Sequence, residues 1–288
     1  MDAELRMMLN DHGSPEALAD CIAEDFQRMR VPVSVEEIAE AVGIEELREV
    51  DSENFEGLLV TDAGKTKGAI AYAKSSGRER RRFTIAHEIG HFLIPTHGAN
   101  AQCAKADLGV VKSADSRKSK EAEANRFAAS LLMPRKLYLA GMRRLGAPET
   151  DHILKLASRY EVSKEAAARR FAELSEHVCA VIFSHQGVVR SFSKSDRFPY
   201  LTVKPKDRLP PGCASATAKL KAGDMSKWAE ADVETWMDRP LRGKTLYEQY
   251  LQQANGYGLT MLTLDDAEDD EEEDEAVERA WAPPRFGR

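Results

Sequence analysis

The sequence lacks the marks of a secreted or membrane-bound protein. Its four cysteines lie far apart without a Cys-x-x-Cys pair, which fits reduced thiols and neither a disulfide framework nor a structural zinc knuckle. No apolar run approaches the roughly 18 residues that span a bilayer. The N-terminus carries acids early and lacks the apolar core of a signal peptide. We therefore expect a soluble, cytoplasmic protein without a membrane partner.

The sequence has little net charge outside a single segment. The 288-residue chain has a net charge of −7, and residues 265–275 contribute ten acidic side chains and no basic one. Without these ten negative charges the remainder carries +3. Neither value indicates a nucleic-acid-binding protein. Residues 265–288 are predicted to form a disordered acidic tail.

Local patterns predict a mixture of helices and strands. Helices are expected in the first 50 residues, with Ser14 and Ser34 as capping residues, and a hairpin of two strands at 55–60 and 68–74. An apolar helix over residues 83–94 and a loop over 98–118 follow. The other expected elements are helices at 119–133, 134–146, 228–237 and 245–253, two short helices within 151–175, and strands at 178–184, 187–192, 200–203 and 259–264.

The predicted helix over residues 83–94 contains the pattern H-E-x-x-H, formed by His87, Glu88 and His91. Four residues along a helix rotate by about 400° and rise by about 6 Å, so both imidazoles lie on one face and can bind one ion. Glu88 lies beside the ion, where it can take a proton from an attacking water. Most of the other positions are apolar, and burying two histidines and a glutamate there is costly unless something pairs with them. The alternative is a chance motif whose histidines are merely packed.

A catalytic zinc site needs a third protein ligand, and the residues leave three candidates. His97 has the spacing of H-E-x-x-H-x-x-G-x-x-H, but Ile94 occupies the position where that pattern has glycine. Glu121 and Glu123 lie on the next predicted helix, which can cross the first. Asn125 lies one turn after Glu121 and could hydrogen-bond a metal-bound histidine.

Two blocks of residues carry a family resemblance. RFTIAHEIGH at residues 82–91 and EAEANRFAASLLMP at residues 121–134 resemble, in this order, the ImmA/IrrE family of metallopeptidases. The resemblance covers roughly residues 15–175 and extends more weakly to the rest. It implies an α+β fold with a zincin-like metallopeptidase domain, in which zinc, or manganese, is held by two histidines and a glutamate.

Carried over residue by residue, the resemblance implies His87, His91 and Glu121 as metal ligands and Glu88 as the general base. The implied activity is that of a metallo-endopeptidase, a hydrolase. Family members typically cleave a helix-turn-helix repressor and so relieve repression of transcription, in stress responses among other settings. A helix-turn-helix repressor is therefore the expected substrate.

The expected domain organisation has four parts. A zincin-like peptidase domain spans residues 1–148, and a helix-turn-helix-like unit spans residues 149–176. A smaller C-terminal α+β domain, with a possible sensory role, spans residues 177–264, and the acidic tail completes the chain.

Two surfaces have alternative interpretations. Lys164, Arg169 and Arg170 of the helical unit could face DNA phosphates, although we favour a role in packing or substrate docking over direct DNA binding. The basic residues 78–82 are expected to be a solvated loop before the motif helix, with an acidic-substrate or DNA contact as the alternative.

Ile70 to Ala73 is the candidate edge strand on which an extended substrate would pair.

Two other functions compete with a specific peptidase. One is a non-catalytic regulator in which the metal stabilises the fold and the protein binds DNA or a repressor. The other is a general protein-degrading enzyme, which would cleave unrelated unfolded proteins.

Overall fold

A computed structural model describes most of the chain, and its mixture of helices and two sheets confirms the predicted α+β class. The chain forms two units, Met1–Arg144 with Lys155–Ala167 and Leu145–Leu154 with Ala168–Arg288. The expected domain boundaries at 148 and 176 stay a prediction, and the acidic tail lies outside the described residues. The described residues are 14–25, 30–51, 56–74, 77–98, 100–103, 116–238 and 243–264.

The first two helices begin at the predicted capping serines. Helix α1 spans Pro15–Asp25, and the Ser14 hydroxyl accepts a hydrogen bond from the Ala17 amide at 3.1 Å. Helix α2 spans Val35–Val42 and begins at Ser34, whose hydroxyl accepts from the Glu37 amide at 3.3 Å. A serine at this position satisfies an amide that has no partner within its own helix. These caps confirm the prediction for this part of the chain.

The first unit contains a four-stranded sheet with the order β1-β3-β2-β4. The predicted hairpin is present as the antiparallel strands β2 and β3, while β1 runs parallel to β3. The prediction of Ile70–Ala73 as an edge strand is wrong, because β3 is hydrogen-bonded on both sides. Strand β1 lies where the sequence predicts helix, and β4 lies within the predicted loop, so both of these predictions are wrong. The bounds are Ile44–Val50 (β1), Gly57–Thr61 (β2), Gly68–Ala73 (β3) and Asn100–Cys103 (β4).

The motif helix α3 spans Arg78–Leu93 and begins earlier than predicted. It packs against α2, against strands β2 and β3, and most extensively against helix α4, Ser116–Leu132. Helix α5, Arg135–Leu145, follows Pro134. Ile85, Ile89 and Phe127 are among the buried residues of α3 and α4. Packing against both a sheet and a second helix buries most of α3, including its polar motif residues.

The chain continues through two short helices, as predicted. Helix α6 spans Thr150–Tyr160, and helix α7 spans Lys164–Leu174. Glu161, in the turn between them, has a positive φ of 50°. Tyr160 and Phe171 are buried, so each of the two helices has a buried aromatic side chain.

The second unit contains an antiparallel five-stranded sheet with the order β6-β5-β9-β8-β7. Its core includes the buried residues Ile182, Phe198, Trp236 and Leu262. The predicted helix over 245–253 is wrong, since this segment is strand β8. The predicted strand at 200–203 is irregular, and 228–237 holds only a short strand and a short helix. The bounds are Cys179–His185 (β5), Val188–Lys194 (β6), Ala214–Thr217 (α8), Ala229–Glu230 (β7), Val233–Trp236 (α9), Leu246–Gln252 (β8) and Tyr257–Leu264 (β9).

One charged residue of β8 is buried in the second unit. The Glu248 carboxylate accepts hydrogen bonds from the Ala214 amide at 3.0 Å and from the Trp236 indole N–H at 3.3 Å. Burial raises the pKa of Glu248 above its usual value, and these two hydrogen bonds oppose the increase only in part. Glu248 thus ties the segment between β6 and β8 to the sheet.

The cysteines of the second unit fit the expectation of reduced thiols. Cys179 and Cys213 are buried, and neither forms a disulfide. Burial raises the pKa of Cys179 to about 11, so its thiol is protonated at neutral pH. Among the described residues, no helix has the length and apolar character needed to cross a membrane.

Candidate metal centre

The two motif histidines lie on one buried face of α3. Both side chains are almost inaccessible to solvent, and their Nε2 atoms are 3.1 Å apart. This proximity follows from the four-residue spacing, which places His91 one turn after His87. The predicted pairing of the two imidazoles on one helix face is therefore present.

Helix α4 brings a carboxylate to the same point. Oε2 of Glu121 lies 3.2 Å from Nε2 of His87 and 3.5 Å from Nε2 of His91. The close approach of the two helices depends on Gly90, because a Cβ atom there would lie only 2.9 Å from Cδ1 of Phe127 and 3.3 Å from Cα of Ala124. A glycine in α3 and an alanine in α4 thus allow Glu121 to reach the histidines.

The three distances fit the first coordination shell of a metal ion. Ligands at about 2.0–2.1 Å from a tetrahedral zinc ion are separated from one another by about 3.3 Å. The observed separations are 3.1, 3.2 and 3.5 Å. His87, His91 and Glu121 therefore form a buried group that could hold a metal ion. A second group of this kind among the described residues, Glu149 with Asp151 and His152, is less buried.

The electrostatics of the group also favour a cation. Burial lowers the pKa of His87, although the neighbouring Glu121 carboxylate opposes this, so the ring is neutral at neutral pH. Burial alone would raise the pKa of Glu121, but its close contacts with His87 and His91 outweigh this effect and hold that pKa well below its usual range. Neutral imidazoles and a carboxylate are the ligand forms that bind zinc.

Asn125 lies where the sequence predicted. Its Oδ1 is 3.0 Å from Nδ1 of His87, on the side of the ring opposite the convergent Nε2. An amide oxygen accepts hydrogen bonds, so the proton of the neutral His87 ring lies on Nδ1. The Nε2 lone pair then points at the place where an ion would bind.

Glu88 is fully buried and lies beside the convergent group rather than in it. The first residue of β2, Gly57, packs against it so closely that a Cβ at Gly57 would overlap Oε1 of Glu88. The same Cβ would lie 2.8 Å from Cγ2 of Thr84. Sequence reasoning missed this contact, and the signal that could have found it is a glycine at the start of a strand.

The two alternative third ligands lie elsewhere. Nδ1 of His97 is 2.8 Å from Nδ1 of His91, and Nε2 of His97 is 3.2 Å from Oε2 of Glu123. Neither residue belongs to the group of converging ligand atoms formed by His87, His91 and Glu121. Burial, together with the neighbouring His91, lowers the pKa of His97 to about 4, so the ring is neutral at neutral pH. The ligand roles themselves stay a prediction.

The basic stretch at residues 78–82 belongs to the first turns of α3 and is not a loop. Arg78 forms an ion pair with Glu161 at 2.9 Å, and Arg80 donates to Glu56 at 3.0 Å. Arg82 is buried and donates to a backbone carbonyl at 2.8 Å. These three arginines therefore connect the first turns of the motif helix to neighbouring segments of the protein.

The candidate DNA-facing residues of α7 do not share one environment. Lys164 and Arg169 are exposed, whereas Arg170 is buried and donates to Glu173 at 2.8 Å. The prediction that Arg170 could face DNA phosphates is therefore wrong, because its guanidinium is committed within the protein.

Comparison with known proteins identifies a protein family that part of this chain matches. Residues 39–172 match the model of the IrrE N-terminal-like domain, Peptidase_M78. A solved structure of a Mycobacterium tuberculosis transcriptional regulator has 13% sequence identity and a TM-score of 0.49, over 90% of this chain and 80% of that chain. None of the curated proteins matches the sequence. The family match supports a zincin-like fold and a metallopeptidase-type or regulatory role.

Proposed function

The chain carries an IrrE N-terminal-like domain of the Peptidase_M78 family over residues 39–172, and on this basis we propose that it is a metal-dependent endopeptidase. Zinc is the proposed metal, with manganese as an alternative that the same ligands accept. His87, His91 and Glu121 would hold it. The observation that carries the proposal is the convergence of their three ligand atoms at the crossing of α3 and α4.

A zinc ion in this place would polarise a peptide carbonyl and lower the pKa of a bound water to about 7. Glu88 would act as the general base, taking a proton from the attacking water. It would then pass that proton to the nitrogen of the departing amine, which completes hydrolysis of the peptide bond. The two assignments are separable, because Glu88 lies beside the ligand group and not within it.

The proposed substrate is a helix-turn-helix transcriptional repressor, whose cleavage would relieve repression in the cytoplasm. This step rests on the resemblance of the two sequence blocks to metallopeptidases that cleave such repressors. It is tested by incubating the zinc-loaded protein with the repressor encoded by a neighbouring gene. An intact repressor would contradict the substrate, and cleavage of unrelated unfolded proteins at a similar rate would favour a general peptidase.

A second candidate uses the same metal group without catalysis. Three ligands at the crossing of two helices would stabilise the first unit, as structural metals do. The protein could then act as a regulator that binds DNA or a repressor. Substitution of Glu88 distinguishes the two, because the structural role needs the three ligands and not Glu88.

The deciding experiment is metal analysis by mass spectrometry, paired with repressor cleavage. We expect about one zinc per chain in the wild type and in Glu88→Gln, and little in Glu121→Ala. We expect cleavage by the wild type alone. Full metal content in Glu121→Ala would move the third ligand to Glu123 or His97. No metal in any sample supplied with zinc would overturn the peptidase, whereas full biological function of Glu88→Gln would favour the regulator.

A further inference from the structure

The chain reverses direction immediately after the motif helix, and this turn is held in place. Nζ of Lys65 donates to the carbonyl oxygens of Ile94 at 2.9 Å and His97 at 3.2 Å. The amide of His97 also donates to the Ile94 carbonyl at 3.2 Å. A lysine that bridges two carbonyls at a helix C-terminus satisfies groups that would otherwise lack partners. The turn therefore returns the His97 side chain to the buried face of α3.

His97 links a carboxylate of α4 to a proposed metal ligand of α3. Its Nε2 lies 3.2 Å from Oε2 of Glu123, and its Nδ1 lies 2.8 Å from Nδ1 of His91. Both distances are those of hydrogen bonds. His97 is buried, so water does not compete freely for either of its ring nitrogens.

The direction of each hydrogen bond follows from the chemistry of the groups. A carboxylate oxygen only accepts, so Nε2 of His97 carries a proton and donates it to Glu123. A neutral imidazole has a single N–H, which leaves Nδ1 of His97 as an acceptor. Nδ1 of His91 must then be the donor, and Nε2 of His91 keeps its lone pair. That Nε2 is the atom 3.1 Å from His87 Nε2 and 3.5 Å from Glu121 Oε2.

We propose that the His97–Glu123 pair positions His91 as a metal ligand, by holding its proton on Nδ1 and aiming its Nε2 at the convergence point. Asn125 provides the matching contact for His87, so each histidine of the motif has its outer nitrogen held by a separate partner. The inference rests on the proposed metal function and deepens it. Such outer contacts change metal affinity by about 10- to 100-fold in other sites.

The test is the zinc dissociation constant, measured by competition with a chromophoric chelator. We expect His97→Phe, which keeps a ring but removes both hydrogen bonds, to bind about one zinc with about 10- to 100-fold weaker affinity. His97→Gln should recover most of the affinity, because its amide can accept from His91 and donate to Glu123. His177→Gln, at an exposed histidine of the second unit, is the matched control and should bind as the wild type does.

A second variant guards against a simple folding defect. Glu123→Ala leaves His97 in place but removes the acceptor that fixes its proton, so zinc affinity should fall in the same direction. The absorption spectrum of bound cobalt reports ligand geometry, and we expect it to change in His97→Phe and to return in His97→Gln. Circular dichroism and thermal unfolding of the metal-free proteins separate lost affinity from lost structure.

The outcomes distinguish this inference from the function on which it rests. Wild-type affinity in both His97→Phe and Glu123→Ala would overturn the positioning role and leave the metal site intact. Complete loss of metal in His97→Phe together with full metal in Glu121→Ala would make His97 a ligand, which also overturns it. A wild type that binds no zinc would overturn the proposed function and, with it, this inference.

Discussion

Replacing Gly90 by alanine should uncouple the two helices that form the metal centre. In an isolated helix this change stabilises by about 1 kcal/mol, because glycine is the more flexible residue. Here the new Cβ would lie 2.9 Å from Cδ1 of Phe127 and 3.3 Å from Cα of Ala124. Carbon atoms prefer separations of about 3.5–4.0 Å. Either the Phe127 ring or α4 itself must therefore move by about 0.5 Å or more.

The expected change in the free energy of unfolding of Gly90→Ala follows from two opposing contributions. Overpacking of this kind costs about 1–3 kcal/mol, against the gain of about 1 kcal/mol in helix propensity. We expect a net loss of about 0–2 kcal/mol in the free energy of unfolding of the metal-free protein. Zinc affinity should fall as well, because movement of α4 carries Glu121 away from two histidines that it now approaches to 3.2 and 3.5 Å.

Urea unfolding with a chelator present and zinc content after loading measure the two effects. Gly77→Ala is the matched control. Gly77 is the exposed N-cap of the same helix with a negative φ of −59°, and a Cβ there would meet no described atom within 4 Å. We expect that control to stay within about 0.5 kcal/mol of the wild type and to bind zinc. A more stable Gly90→Ala with unchanged zinc affinity would refute the claim that Gly90 sets the approach of the helices.

Two further predictions concern buried carboxylates in the two units. Gly57→Ala places a methyl group against Glu88, so we expect wild-type zinc content but cleavage that is slower by about 100-fold. Both are measured on one preparation, with Glu88→Gln as the comparison. A wild-type cleavage rate would contradict the claim that the close packing of Gly57 positions Glu88. Glu248 has a folded-state pKa raised above its usual value of 4.5, so the folded state binds a proton more readily than the unfolded state, and stability grows as pH falls through the raised pKa towards 4.5. The free energy of unfolding in urea is measured for the wild type and Glu248→Gln at pH 7 and pH 5. The difference between the two proteins should shift in favour of the wild type at pH 5, and a difference that does not change with pH would contradict this.

Several secondary-structure predictions failed for one physical reason. Residues 246–252 show no strict alternation of burial, because all of them except Tyr247 and Gln252 are buried, so side chains on both faces of β8 are covered. Burial on both faces removes the period-two pattern by which a strand is recognised in sequence. Strand β1 was missed for a different reason, since its Glu- and Arg-rich sequence resembles an exposed helix. Its pairing with β3 overrides that local preference.

The identity of the motif residues could be predicted because their relation is local. His87 and His91 are four positions apart, and the geometry of one helix places them together whatever surrounds it. The two capping serines and the hairpin at β2 and β3 are local in the same sense. Each depends on residues within a few positions along the chain.

The sequence alone determined the helical metal-binding motif, the position of Glu88 beside it and the family resemblance. Only the tertiary structure decided which residue converges with the histidines, because Glu121, Glu123 and His97 all lie within reach along the chain. That choice depends on how α4 crosses α3, which the glycine and alanine at the crossing permit. It also depends on the turn that Lys65 holds from another part of the chain. Contacts between distant segments are set by packing, which no short stretch of sequence encodes by itself.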